Sequence, residues 1–278
     1  MRAQKSWLIT GSGGGLGLEI ARAALEVGDR VVAAARRIDS LADLERDFGS
    51  AITPVRLDVT NPPEVAAAVR AAGNVDVVVN NAGHGYLAAV EEGEEDKIRQ
   101  TFEVNFFGAA AIIRAVLPGM RERGDGTIVN ISSVAGFSAG AGSAYYAASK
   151  YALEGLSDAL IAEAGPLGVR VLVVEPGPIR TAFASTALLS SPALPAYAAT
   201  AGKRQQAIKA ADGKQAGDPV AIARLLVDLV HDGTPASRVV LGRMAFAGVR
   251  QKVASVLDDL ATLEARGLAT DYPDRPQR

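Results

Sequence analysis

The chain has 278 residues, 49% of them hydrophobic and 22% charged, with a formal net charge of −2, the profile of a globular protein able to bury a substantial core. It holds no cysteine, which excludes disulfides, thiolate metal sites and cysteine nucleophiles. His84 and His231 stand in no metal-binding spacing, so no metal is expected, and the small net charge gives no reason to expect nucleic acid as a partner.

The N-terminal MRAQKSWLITGSG has basic residues at Arg2 and Lys5, but its apolar run is too short for the core of a signal peptide. No stretch reads as long and apolar enough to span a bilayer, so a cytoplasmic protein with no membrane partner is expected. The first buried strand, SWLIT, ends in TGSGGGLG (Thr10 to Gly17), and a helix over 15–27 follows. Glycines let the backbone turn sharply and approach a pyrophosphate, while a helix start offers free N–H groups. The common G-x-G-x-x-G fits in no register; the pattern is G-x-x-x-G-x-G at Gly11, Gly15 and Gly17. A ligand-free turn has the same composition, but the place after an N-terminal strand favours a dinucleotide. The second strand, RVVAAA, runs into Arg36 and Arg37 where an acid would hold a free ribose 2′-hydroxyl. Arginine suits a 2′-phosphate, so NADP(H) is expected ahead of NAD(H). The competing reading, that both arginines merely solvate the next loop, fits Arg37 better than Arg36.

ITPVRL is the third strand, followed by Asp58 and a helix over 62–72. VDVVVN, the fourth, runs into NNAG (Asn80 to Gly83) and then His84, which either closes a loop or reaches a substrate. A helix over 94–123 carries Asn105, a poor mid-helix residue inside an apolar run. GTIVNIS, the fifth strand, ends at Ser132 and Ser133. In SAYYAASKYALEG (Ser143 to Gly155) the alanines and the lack of proline predict a helix, over 145–164. Tyr146 and Lys150 are four apart and share a face, whereas Tyr145 is five away and Tyr151 adjacent. A solvated tyrosine and lysine at this spacing are common, so the pair alone decides nothing.

VRVLVVE is the sixth strand and PGPIRT (Pro176 to Thr181) follows it. The Ala-, Ser- and Pro-rich segment 182–217 reads as a loop with short helical pieces. Its stretch ASTALLSSPALPAYAAT is uncharged, which suggests an apolar lid with Tyr197 able to touch a ligand; a plain loop is the alternative. SRVVLG is the seventh strand. An added amphipathic helix over about 245–266 is expected to cover the pocket or alter assembly, and the tail from Gly267, ending in DYPDRPQR, to fray. Near-continuous apolar strands alternating with helices predict an α/β protein, a parallel sheet covered on both faces, in a single domain over 1–278.

Taken in order, TGSGGGLG, NNAG, Asn105 in FEVNFFG, Ser133 in IVNISS, Tyr146 with Lys150, and PGPIRT resemble the short-chain dehydrogenase/reductase family from about Ser6 to about Gly242. The resemblance implies a single-domain Rossmann-type, doubly wound, seven-stranded parallel sheet. It implies Asn105, Ser133, Tyr146 and Lys150 as catalytic residues, with Ser133 rather than Ser132 at the usual distance before the tyrosine. Cofactor contacts are expected from Gly11, Ser12, Gly15, Leu16 and Gly17, from Arg36, and from Asp58 and Val59 at the adenine. Asn80, Ala82, Gly83 and Lys150 are expected at the ribose, and Ile179 and Thr181 at the nicotinamide. Many relatives carry serines at the positions of Gly13 and Gly14. Homodimers or homotetramers packing helices 94–123 and 145–164 are the family's habit.

The chemistry expected is interconversion of a carbonyl and an alcohol on a small to medium, apolar substrate. A free tyrosine has a pKa of about 10, and bringing it to roughly 7 takes about 4 kcal/mol of phenolate stabilisation. Lys150 and an oxidised nicotinamide are expected to supply it. Ser133 would stabilise the substrate oxygen, and Asn105 resembles the residue that links the lysine to solvent. An NAD(H)-dependent dehydrogenase, an epimerase acting through a transient ketone, and a dinucleotide sensor without turnover remain as alternatives. The intact Ser133, Tyr146 and Lys150 argue against the sensor.

Overall fold

The computed structural model describes residues 3–272. Its seven apolar runs all become strands of one parallel sheet: β1 (Ser6–Thr10), β2 (Arg30–Ala35), β3 (Ile52–Arg56), β4 (Val77–Asn80), β6 (Gly126–Ile131), β7 (Val169–Pro176) and β9 (Arg238–Leu241). Two short strands that the sequence reading lacks, β5 (Gly85–Leu87) and β8 (Leu188–Ser190), pair with each other in a separate parallel sheet. The order in the main sheet is β3-β2-β1-β4-β6-β7-β9. The chain therefore winds outward from β1 to β3, returns, and continues from β4 on the other side. At that reversal the loops after β1 and β4 part and leave a crevice at the carboxyl ends of the strands.

Successive side chains of a strand point to opposite faces, and each face has its own core. Trp7, Ile9, Val77, Val79, Leu172 and Val174 meet α1 (Gly15–Glu26) and, later in the chain, α9 (Pro219–Asp232). Leu8, Val32, Val78, Ile128, Val171 and Val173 meet α3 (Pro62–Ala72), α5 (Ala109–Arg123) and α6 (Ala144–Ala164). Each such buried Val, Leu or Ile contributes roughly 1.5–3 kcal/mol against leaving it in water. The remaining helices are α2 (Ala42–Phe48), α4 (Glu95–Phe102), α7 (Phe183–Thr186), α8 (Lys203–Ala210) and α10 (Arg243–Leu268).

Helix starts follow from capping chemistry. Asn61 accepts from Glu64 N–H ahead of Pro62, and Asp218 accepts from Val220 N–H ahead of Pro219. The oxygen satisfies a free N–H, and proline has none to lose at the first turn. The Asp218–Pro219 pair is a signal for α9, which is not among the helices expected above. Buried Asp29 accepts from Trp7 Nε1 at 2.7 Å and sits 2.8 Å from His231 Nε2, tying α9 to the far end of the sheet.

Two expectations are corrected. Helix Glu95–Arg123 is, by length and composition, long and apolar enough to cross a membrane; in this fold Ile112, Ile113, Val116 and Met120 of it are buried against the sheet. Gly267 does not end α10, which runs to Leu268, and the rest of the expected frayed tail, beyond Tyr272, lies outside the described residues.

Candidate active site

The motifs, scattered through the sequence, converge because each follows the carboxyl end of a strand. At the end of β1, Gly11 (φ 70°) and Gly15 (φ 57°) take left-handed backbone that L side chains rarely adopt. A Cβ on Gly17 would lie 2.3 Å from Asn81 Nδ2 and 2.5 Å from the Gly11 carbonyl, so only glycine fits there. The first-turn N–H groups of Gly15, Leu16 and Gly17 stand at the start of α1, where a helix has no internal partner for them. Thr181, from the loop after β7, faces Gly15 at 3.5 Å from a Cβ built there. The cradle thus fits a pyrophosphate.

Ser12 differs from expectation. Its hydroxyl donates to Ile9 O at 2.7 Å and its N–H to Ala34 O at 3.0 Å, so it is buried and holds the loop rather than a ligand. Gly13 is explained by Ser40, whose Oγ would lie 2.6 Å from a Cβ at 13, whereas a Cβ at Gly14 would meet nothing within 4 Å. Arg36 is exposed directly after β2. Its charge reaches Asp58, whose carboxyl burial pushes up; hydrogen bonds from Thr60 with the charges of Arg36 and Arg56 outweigh that and leave its pKa lowered. Val59 is buried against Gly108.

After β4, the Asn80 side chain turns inward and donates to Asn130 Oδ1 at 2.8 Å. Its Nδ2 thereby joins β4 to β6, while its Oδ1 is buried without a hydrogen-bond partner. Asn81, passed over in the sequence reading, is the residue that shapes the loop: its amide donates to the Thr10 and Gly11 carbonyls at 3.0 and 3.2 Å. Thr10 Oγ1 in turn accepts from the N–H groups of Asn81 and Ala82, both at 3.0 Å. A Cβ at Gly83 would stand 3.1 Å from Asn105 Oδ1 and 3.6 Å from Lys150 Nζ, so these three positions meet.

Asn105 sits in a π-helical turn, Glu103–Gly108, between α4 and α5, the kind of interruption that re-aims a side chain. Its amide is spent within the protein. Oδ1 accepts from His84 N–H at 3.0 Å, and Nδ2 donates to His84 O at 2.9 Å and to Ser149 Oγ at 3.0 Å. Asn105 therefore braces the loop after β4 against α6. His84 Nε2 lies 3.2 Å from Thr101 Oγ1, which already donates to Lys97 O, so the ring is the donor and Nε2 carries the hydrogen. Burial, aided by the charges of Arg36 and Lys150, holds the His84 pKa below its ordinary value. His84 closes the loop.

The three tyrosines of α6 separate by where their hydroxyls go. Tyr145 donates to Val90 O at 2.6 Å, and Tyr151 to Phe137 O. Tyr146 faces Ser133, whose Oγ accepts from Ala135 N–H at 3.1 Å and so keeps its own hydrogen for another partner. Buried Ser132 faces Glu154 instead, without closing a full hydrogen bond to it. Desolvation pushes the half-buried Tyr146 phenol above its ordinary pKa, with Ser133 opposing. Lys150 by itself adds no lowering influence on that phenol; the expectation paired it with an oxidised nicotinamide. The Lys150 Nζ lies 6.0 Å from the Tyr146 ring centroid and donates to Ile131 O at 2.8 Å, and burial brings its own pKa down to about 8. Glu154, one turn further along α6, works against that burial. It is ion-paired to Arg238, which also binds Glu175, both at 2.6 Å.

Over the site lies the segment after β7. Phe183 approaches the Tyr146 ring at 6.4 Å between centroids, and Phe183 and Leu188 pack on Gly85. The segment is fastened rather than loose. β8 pairs with β5, Glu92 accepts from Leu194 N–H at 2.8 Å, and Lys97 donates to Ser190 O at 2.9 Å. Tyr197 donates to Glu91 Oε2 at 2.7 Å, so its hydroxyl anchors the lid instead of meeting a ligand. Ile179 forms a bridge with Gly217 and packs on the α1–α9 core.

The sequence matches the model of the family described as short chain dehydrogenase over residues 5–190. The chain is 36% identical over 262 residues to the oxidoreductase BOA17 of Botryotinia fuckeliana, covering 92% of this chain and 96% of that one. In structure it resembles a short-chain dehydrogenase from Streptomyces avermitilis, with a TM-score of 0.91, 38% identity, and coverage of 98% and 100% of the two chains. A short-chain dehydrogenase from Burkholderia cenocepacia in complex with NADP aligns with a TM-score of 0.71 at 29% identity, covering 96% and 98%.

Proposed function

Because the chain belongs to the short-chain dehydrogenase family and is an oxidoreductase, we propose that it interconverts a carbonyl and an alcohol with NADP(H), Tyr146 giving or taking the proton. The observation that carries this reading is the meeting of Ser133, Tyr146 and Lys150 at the crevice mouth, with Tyr146 the one tyrosine of α6 whose hydroxyl is turned to Ser133. The glycine cradle, the first turn of α1, Thr181 and exposed Arg36 would hold the dinucleotide. When bound, the dinucleotide supplies or receives the hydride.

The residues do the rest. Ser133 O–H donates to the substrate oxygen and stabilises charge developing there. Tyr146 O–H transfers its proton to the same oxygen. A phenol whose pKa burial has pushed up is a poorer acid and is scarcely ionised near neutrality, so phenolate formation needs positive charge beside it. Lys150, still an ammonium at pH 7 with a pKa of about 8, is one source. Asn105 is a positioning residue that fixes the loop of Gly83 and the helix of Lys150. Phe183 and Leu188 give the lid an apolar inner side, which favours a substrate with an apolar body.

The test is NADPH and NADH oxidation over a panel of apolar ketones and aldehydes, with wild type and Tyr146→Phe. Turnover with NADPH that falls roughly 10²–10⁴-fold in the variant is expected for loss of the proton donor. Equal turnover in the two proteins would refute Tyr146 as the acid.

A further inference from the structure

No part of the site uses the outer length of α10. Every residue from Gln251 to Leu268 is exposed, so about five turns leave the body. Large apolar side chains are bare there, with Leu260 at 60% and Leu263 at 53% exposure, a cost that a partner would remove. Phe246, Val249, Val253, Val256, Leu260 and Leu263 follow one another at alternating steps of three and four. That is the a/d pattern of a two-helix seam, with Leu257 and Leu268 the large apolar side chains of the exposed length that lie outside it. The flanks carry both signs, with Arg250, Lys252 and Arg266 against Asp258, Asp259 and Glu264, unlike the basic face of a membrane-lying helix.

We propose that α10 pairs antiparallel with α10 of a second copy of this chain. One register satisfies all six seam residues. It sets Phe246 opposite Leu263 of the second copy, Val253 opposite its Val256, and Leu260 opposite its Val249, each repeated by the two-fold axis. The same register brings Lys252 to Asp259 of the second copy and Arg243 to its Glu264, opposite charges in each case. A parallel pair would instead oppose Asp259 and Glu264, like charges at the flanking positions. At the root of α10 an open, mainly apolar hollow of about 600 Å³ is lined by Gly242, Arg243, Phe246, Ala247 and Arg250. In this register it receives the last turns of the second copy's helix, with Leu263 on Phe246. The pairing leaves α4, α5 and α6 free for any other contact between copies.

The test is the mass of the full-length protein in solution, by sedimentation or light scattering, for wild type and Leu260→Asp. Halving of the mass in the variant is expected whether or not the bodies also associate; an unchanged mass overturns the proposal. Lys252→Asp should weaken association and Lys252→Asp with Asp259→Lys should restore it; failure of the swap to restore overturns the antiparallel register. The chain has no cysteine, so mixing Phe246→Cys with Leu263→Cys protein reports orientation directly. A mixed disulfide is expected, whereas a Phe246→Cys disulfide with itself indicates parallel helices and overturns the proposal. A monomer whose α10 binds phosphatidylcholine–phosphatidylglycerol vesicles would replace the second copy with a membrane.

Discussion

At the scale of single residues, Lys150 pits burial against charge. Its folded pKa of about 8 lies below the ordinary 10.5 because burial disfavours the ammonium. Below about pH 8 both folded and unfolded chains hold the proton, and the folded protein bears the cost of the buried charge. Between about 8 and 10.5 the unfolded chain still binds the proton and the folded one has released it, so stability rises with pH, by up to roughly 3 kcal/mol. Urea midpoints measured from about pH 7 to about pH 9.5 should climb in wild type and stay flatter in Lys150→Met. Arg36 can be tested through its ligand. Losing a charge-assisted contact to a phosphate costs roughly 1.5–3 kcal/mol, so Arg36→Ala should raise the KM for NADPH about ten- to a hundredfold and leave that for NADH unchanged. An unaltered NADPH to NADH ratio would mean that another group selects the cofactor.

At the scale of elements, the β1–α1 turn distinguishes glycines by what surrounds them. Gly17 is wedged between Asn81 and the Gly11 carbonyl, while Gly14 has open space around it and extended backbone at φ 170°. Gly17→Ala should therefore destabilise the protein by roughly 1–3 kcal/mol and weaken dinucleotide binding, because one of two backbone segments must shift. Gly14→Ser should be tolerated on both counts. Thermal melts with and without NADP(H) compare the two variants, and similar behaviour would mean that the turn is not packed as described. The π-helical turn at Asn105 and the β5–β8 pair are the other local devices. The first bends an amide into the protein where an unbroken helix would aim it elsewhere, and the second pins the lid through backbone hydrogen bonds.

At the scale of the whole molecule, the parallel winding makes seven strand ends neighbours, and so gathers residues from Gly11 to Thr181 around one crevice. Helix α9 was not picked out, whereas the seven strands and helices α1, α3, α5, α6 and α10 were legible in the sequence, because period and apolar content are local properties. So was the pairing of Tyr146 with Lys150, fixed by helical spacing. The glycine pattern at 11, 15 and 17 likewise marks its own tight turn. Other assignments needed neighbours that lie far off in sequence. Asn80 and Asn81 are adjacent, yet one amide meets Asn130 across the sheet and the other the β1 turn. Ser12 and Tyr197 read as ligand contacts until Ile9 and Glu91 are seen to take their hydroxyls. The direction of the Tyr146 pKa was likewise hidden, because spacing places Lys150 on the same face but burial and the Ile131 carbonyl decide where its charge goes. The sequence by itself determined which elements form and which residue types stand at their ends, since both follow from short-range periodicity and backbone preference. Only the tertiary structure decided which polar atoms are already spent on partners, because those bonds join segments that share no local signal.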